Sequence, residues 1–135
     1  MYHNVPLWVL INTLTHGQIS KLYTLLPSQI RSSISENFPH VKEKTLEQYL
    51  KILTLFRKVC VHNERLYSFR TQIDFRDTKL HDKHGIPKKG IQYVYGKRDL
   101  FGVVIAFRYL LPKESLIDFK CSLIKLVHIY HKQSS

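Results

Sequence analysis

The chain has 135 residues, one domain's length and enough to bury a single hydrophobic core. Hydrophobic residues make up 44% and charged residues 23%, which excludes wholesale disorder. Lys and Arg number 21 against 10 Asp and Glu, a formal charge of +11 that favours a polyanion, RNA or DNA before an acidic membrane, over a mere solubility charge.

The first residues, Met1 to Pro6, carry no basic leader ahead of an apolar run, so no signal peptide is expected. The longest apolar stretch, Phe101 to Leu111, carries Arg108 and falls short of the ~20 residues a membrane span needs. A cytoplasmic protein is expected. Cys60 and Cys121 both fall in apolar stretches; one pair is too few for a disulfide scaffold or a four-cysteine zinc site. Buried free thiols are the expectation.

The apolar residues recur mostly at helical spacing. Leu7, Leu10, Ile11 and Leu14 form a short face behind Pro6. After Gly17, Ile19, Leu22, Tyr23 and Leu26 resume the pattern until Pro27, and Ile30, Ile34 and Phe38 give a third helix ending at Pro39. All three are too short to stand alone in water and must pack on something. The spacing predicts a central helix over about 45–67, opened by a capping box at Thr45 and Gln48. One face carries Leu46, Tyr49, Leu50, Leu53, Phe56 and Cys60; a second carries Ile52, Leu55, Val59, His62 and Leu66. Apolar on two faces, it reads as the buried helix, interrupted by Arg57 and His62.

From about Arg70 to Arg98 the helical period is lost in a long basic loop, with a short extended piece at 91–95. Asp99 then caps a helix that ends at Pro112, and Leu116, Phe119, Leu123, Ile124 and Val127 mark the last one. The expected fold is a single all-α domain over residues 1–135, a compact bundle of five or six helices.

The string Arg57-Lys58-Val59-Cys60-Val61-His62-Asn63-Glu64-Arg65-Leu66-Tyr67 holds an Arg and a His with four residues between them. Positions five apart on a helix lie about 140° apart, so one copy does not aim both groups at one atom. Two copies across a twofold axis bring two Arg and two His into one cleft. Such a cleft suits phosphodiester cleavage: Arg stabilises charge developing on the phosphate, and His exchanges a proton near neutral pH. The alternative is a His that satisfies a core hydrogen bond.

The pattern R-x-x-C-x-H-N-x-R-L-Y, followed by Leu100-Phe101-Gly102-Val103-Val104 and Tyr109-Leu110-Leu111, resembles the Abi family of bacterial phage-defence proteins (the AbiD/AbiF type). Pro6-Leu7-Trp8-Val9-Leu10 and Gly17-Gln18-Ile19-Ser20-Lys21-Leu22-Tyr23 look like that family's opening. The resemblance spans nearly the whole chain, which is similar to the C-terminal half of longer relatives. It implies a HEPN-type helical domain and a metal-independent endoribonuclease of abortive infection, working as a homodimer without a cofactor. Arg57 and His62 fall on its catalytic positions. Lys58 departs from the Asn, Asp or His typical after the Arg; it can only donate, and it adds charge. The alternative function is therefore an inactive HEPN-like module that binds RNA or protein.

RNA is the implied partner, with an antitoxin or regulatory RNA as a further one. Candidate RNA contacts are Lys58, Asn63 and Arg65 beside the motif and Lys88 and Lys89 in the basic loop. Each is equally readable as solvated charge. Tyr67, Tyr93 and Tyr95 suit base stacking or packing. His81, Asp82 and His84, with Asp77, lack the spacing of a known zinc motif, so no metal site is assigned.

Overall fold

The computed structural model describes residues 6–62 and 64–133, and it is all-α apart from one short hairpin. The helices among the described residues are α1 (Leu7–Thr13), α2 (His16–Leu25), α3 (Ser28–Ser35), α4 (Glu43–Val61), α5 (Lys79–Lys83), α6 (Leu100–Leu110) and α7 (Lys113–Gln133). Six of the seven lie where the apolar spacing places them. The seventh, α5, falls inside the basic segment, where the sequence gives no helical period. Strands β1 (Lys88–Lys89) and β2 (Gln92–Tyr93) pair antiparallel, with Lys88 opposite Tyr93. No helix among the described residues is long and apolar enough to cross a membrane.

The central helix is α4. It buries Leu46, Tyr49, Ile52, Phe56 and Val59, and α2 and α3 pack against it. Tyr23 of α2, Phe75, and Val103 and Ala106 of α6 complete the core. The Tyr23 hydroxyl donates to the carbonyls of Arg31 and Glu43, joining three helices at one atom. Helix α1 buries none of its residues, so the expectation that all three short helices pack on the core holds for α2 and α3 only. On α7, Leu116 is buried while Ile124 and Val127 are exposed.

Three details of α4 differ from the sequence reading. The helix starts at Glu43 with Lys42 as a cap that offers no side-chain bond, so Thr45 and Gln48 form no capping box. Instead the Gln48 side chain accepts from the Arg76 amide (3.2 Å). The reciprocal box belongs to Thr15 and Gln18 at the start of α2. Finally, α4 ends at Val61 rather than near Tyr67, and both Cys60 and His62 are exposed. Cys60 and Cys121 are thus free but not buried, because each sits on a helix face that nothing covers among the described residues.

The segment after α4 is anchored at both ends. His81 is fully buried, takes the Thr78 amide on Nδ1 (3.1 Å) and so donates from Nε2 to the Gly96 carbonyl (3.1 Å). Asp99 caps α6 as expected, accepting from the amides of Gly102 (3.1 Å) and Gly96 (3.0 Å). Gly96 has φ of 81°, which an L side chain rarely adopts, and a Cβ there would press on His81.

Candidate nucleic-acid interface

Arg57 lies on the last full turn of α4, and His62 caps its C-terminal end with φ −89° and ψ 12°. Both side chains are exposed, as is Lys58 between them. None of the three takes part in a side-chain hydrogen bond or ion pair among the described residues. His62 is therefore not a core histidine holding a buried partner. Within one chain the helix keeps Arg57 and His62 about 140° apart around its axis. Val61, one residue before His62 and one turn after Arg57, is 65% exposed.

A histidine that the motif search did not single out stands near Arg57. His16, on the first turn of α2, is half-buried and bonded through Nδ1 to the Thr54 hydroxyl (2.9 Å). Burial first, and the Arg57 guanidinium second, hold its pKa below the ordinary 6.5 of histidine. The sequence signal was available: Thr15-x-x-Gln18 marks a helix start, which puts His16 at a first turn facing whatever α2 packs on.

Between α2 and α4 runs a groove of about 460 Å³ with Lys21, Lys51 and Lys58 among its walls and Leu55 and Ile73 as apolar lining. Lys51, Leu55, Lys58 and His62 follow one another by four, three and four residues, so they form one stripe of α4. Lys51 is paired with Glu47 (2.6 Å), while Lys21 and Lys58 carry uncompensated charge. A cationic groove in line with an exposed imidazole can hold a polyanion and present it to a proton donor or acceptor.

The other candidate contacts divide. Arg65 and Lys89 are exposed. Asn63 lies outside the described residues. Lys88 is not a free phosphate contact: it pairs with Asp82 (3.3 Å) and sits 4.5 Å from the centre of the Tyr93 ring. Tyr93 itself is buried, stacked on His81 and donating to Asp82 (2.5 Å), so its use is packing. Tyr67 and Tyr95 are exposed. No group of three or more His, Cys, Asp or Glu among the described residues could hold a metal ion. Asp77 is paired with Lys97, and Asp74 with Arg98.

A protein-family model described as Abi-like protein matches residues 1–68, half of the chain's 135. The chain belongs to the Abi-like family. The match takes in α1 to α4 and the whole string from Arg57 to Tyr67. It stops before the basic segment and α6, where the sequence resemblance had continued to Leu100–Val104 and Tyr109–Leu111. Membership makes this an abortive-infection-type protein. Neither a curated protein nor a solved structure matches it.

Proposed function

We propose that the protein is a metal-independent endoribonuclease of a bacterial abortive-infection system, with Arg57 and His62 as its catalytic pair in a HEPN-type homodimer. The observation that carries this reading is the pair itself: an Arg and a His, both exposed and unpartnered, at the open end of the central helix of an Abi-like chain. Arg57 forks onto a phosphate oxygen and stabilises its charge as the reaction proceeds. The ribose 2′-oxygen attacks phosphorus as one His62 removes its proton, and the bond to the 5′-oxygen breaks as the twofold-related His62 returns a proton. The products are a 2′,3′-cyclic phosphate and a 5′-hydroxyl, with no atom left over.

A twofold axis beside Val61 would remove the angular problem, since one phosphate in the shared cleft then meets the His62 of both copies and an Arg57. The groove of Lys21, Lys51 and Lys58 guides the phosphate chain toward His62, with Arg65, Asn63 and Lys89 as further contacts. The protein acts in the cytoplasm, where transcripts are.

Lys58 favours a second reading, a HEPN-like module that binds RNA or protein without cutting. A cation there holds phosphate but cannot accept a hydrogen bond from His62 or Arg57. End-labelled RNA incubated with the protein in EDTA separates the two. Fragments ending in a 2′,3′-cyclic phosphate support the nuclease; retention of intact RNA supports the module.

A further inference from the structure

Two stripes of α4 run side by side. Lys51, Leu55 and Lys58 wall the groove, and His62 continues their line. The neighbouring stripe is Leu50, Thr54, Arg57 and Val61, again spaced by four, three and four residues. His16 stands against this second stripe, bonded through Nδ1 to the Thr54 hydroxyl (2.9 Å), and Arg57 is the next residue along it, one turn on. His62 lies about 140° round the helix from Arg57. Within one chain, the histidine that shares the Arg57 face is therefore His16.

The second ring nitrogen of His16 is open. The Thr54 hydroxyl donates to the Leu50 carbonyl (2.8 Å), which fixes the imidazole proton on Nδ1 and leaves Nε2 as a lone pair. Nε2 has no hydrogen-bond partner among the described residues. The one buried side-chain nitrogen or oxygen without a partner among those residues is Arg31 Nε, so His16 Nε2 reaches solvent. A half-buried ring held in one orientation thus presents a single basic atom beside an exposed guanidinium that no carboxylate pairs.

Arg57 is also the charged group whose field reaches this ring; with burial as the larger cause, it keeps His16 short of a proton. Helix α1, which precedes His16, carries no charged side chain. On α4, Lys51 and Lys58 belong to the groove stripe, and Lys51 is paired with Glu47. An anion set against both groups reverses the balance. It neutralises the guanidinium, favours the imidazolium, and accepts a charge-assisted hydrogen bond from each.

We propose that Arg57 and His16 form one phosphodiester subsite within a single chain, in which Arg57 binds one non-bridging oxygen and His16 takes up a proton and donates from Nε2 to the other. The assignment rests on the reading of Arg57 as a phosphate contact, and it adds the residue that holds the phosphate on that same face of α4.

A 2′-O-methyl hexauridylate tests it, since that oligomer carries phosphodiesters but no 2′-hydroxyl to attack them. Side-chain NMR of the full chain should show the His16 pKa rising when the hexamer binds, and unmoved by uridine. Arg57→Ala should abolish the rise. His16→Asn keeps an amide donor for Thr54 and removes Nε2. It should melt like wild type, bind the hexamer roughly tenfold more weakly at about pH 5.5, and bind it equally at about pH 8.5. A histidine that only ties α2 to α4 would give neither the rise nor a loss confined to low pH. A hexamer that binds without moving His16, one that does not bind, or a His16→Asn deficit equal at both pH values would overturn the proposal. The nuclease reading fails separately: intact RNA with a hexamer-shifted His16 removes cleavage alone, whereas cut RNA with an unmoved His16 removes this subsite alone.

Discussion

His16 and Thr54 join α2 to α4 by a hydrogen bond whose direction is fixed. The Thr54 hydroxyl already donates to the Leu50 carbonyl (2.8 Å), so it can only accept from His16 Nδ1 (2.9 Å). The neutral imidazole therefore carries its proton on Nδ1 and leaves Nε2 as a lone pair, close enough to Arg57 to feel its charge.

That arrangement has a pH signature. His16 has a folded pKa below its unfolded value near 6.5, so the unfolded chain binds the extra proton first. Its stabilising contribution is present above about pH 6.5, shrinks as pH falls through that value, and levels off below the folded pKa. NMR titration should place His16 below 6.5 and, in Arg57→Ala, nearer to it without reaching it, since burial is the larger cause. An unmoved His16 in that variant would separate Arg57 from α2.

His81 holds the basic segment in place. Its ring is fully buried, bonded at Nδ1 to Thr78 and at Nε2 to Gly96, and stacked on Tyr93 at 4.8 Å. His81→Ala leaves a cavity and an unpaired carbonyl, and should cost about 2–4 kcal/mol in denaturant unfolding. Added zinc should leave the wild-type midpoint unchanged. A zinc-dependent rise would contradict a packing role for His81.

Gly102 is pinned by close packing rather than by backbone freedom. A Cβ on it would overlap the Phe75 ring and approach the Gly96 carbonyl to 2.9 Å. Phe75 is a core residue with no room to retreat. Gly102→Ala should therefore destabilise by about 1–3 kcal/mol, although alanine favours helices. A stabilised variant in thermal melts would contradict this packing.

Much of this was legible in the sequence because the signals were local. Pro27, Pro112 and the Asp99 cap mark element ends by their own chemistry, and the apolar period located six helices. The end of α4 was not legible. His62-Asn63-Glu64 contains no Gly or Pro, and Leu66 continues the apolar spacing, so the pattern ran past the last helical residue, Val61. Extending the helix put His62 on a buried face, and ending it exposes His62; Cys60 stays within α4, on a face that nothing covers among the described residues. The two Thr-x-x-Gln pairs look alike in sequence, yet Gln48 is drawn away by the Arg76 amide, a contact across 28 positions that no local pattern reports. The pairing of Lys88 was hidden for the same reason: Asp82 and Tyr93 reach it only once the hairpin forms. Arg57 and His62 could be found by spacing, but their exposure could not.

Val61 tests the twofold arrangement. A valine at an axis is repeated in both copies, so a charge put there acts twice. Val61→Glu should lower the mass in light scattering from dimer to monomer and abolish cleavage, while the fold melts within a degree or two of wild type, because the side chain is already exposed. A dimer that survives would move the axis elsewhere.

The most direct measurement is RNA cleavage in EDTA by wild type and His62→Ala side by side, with mass by light scattering and folding by thermal melt. The account predicts a dimeric wild type that leaves 2′,3′-cyclic phosphate ends, and a dimeric, equally stable variant that leaves RNA intact. A folded wild type that binds RNA and never cuts it, or a variant that cuts as fast as wild type, would contradict it.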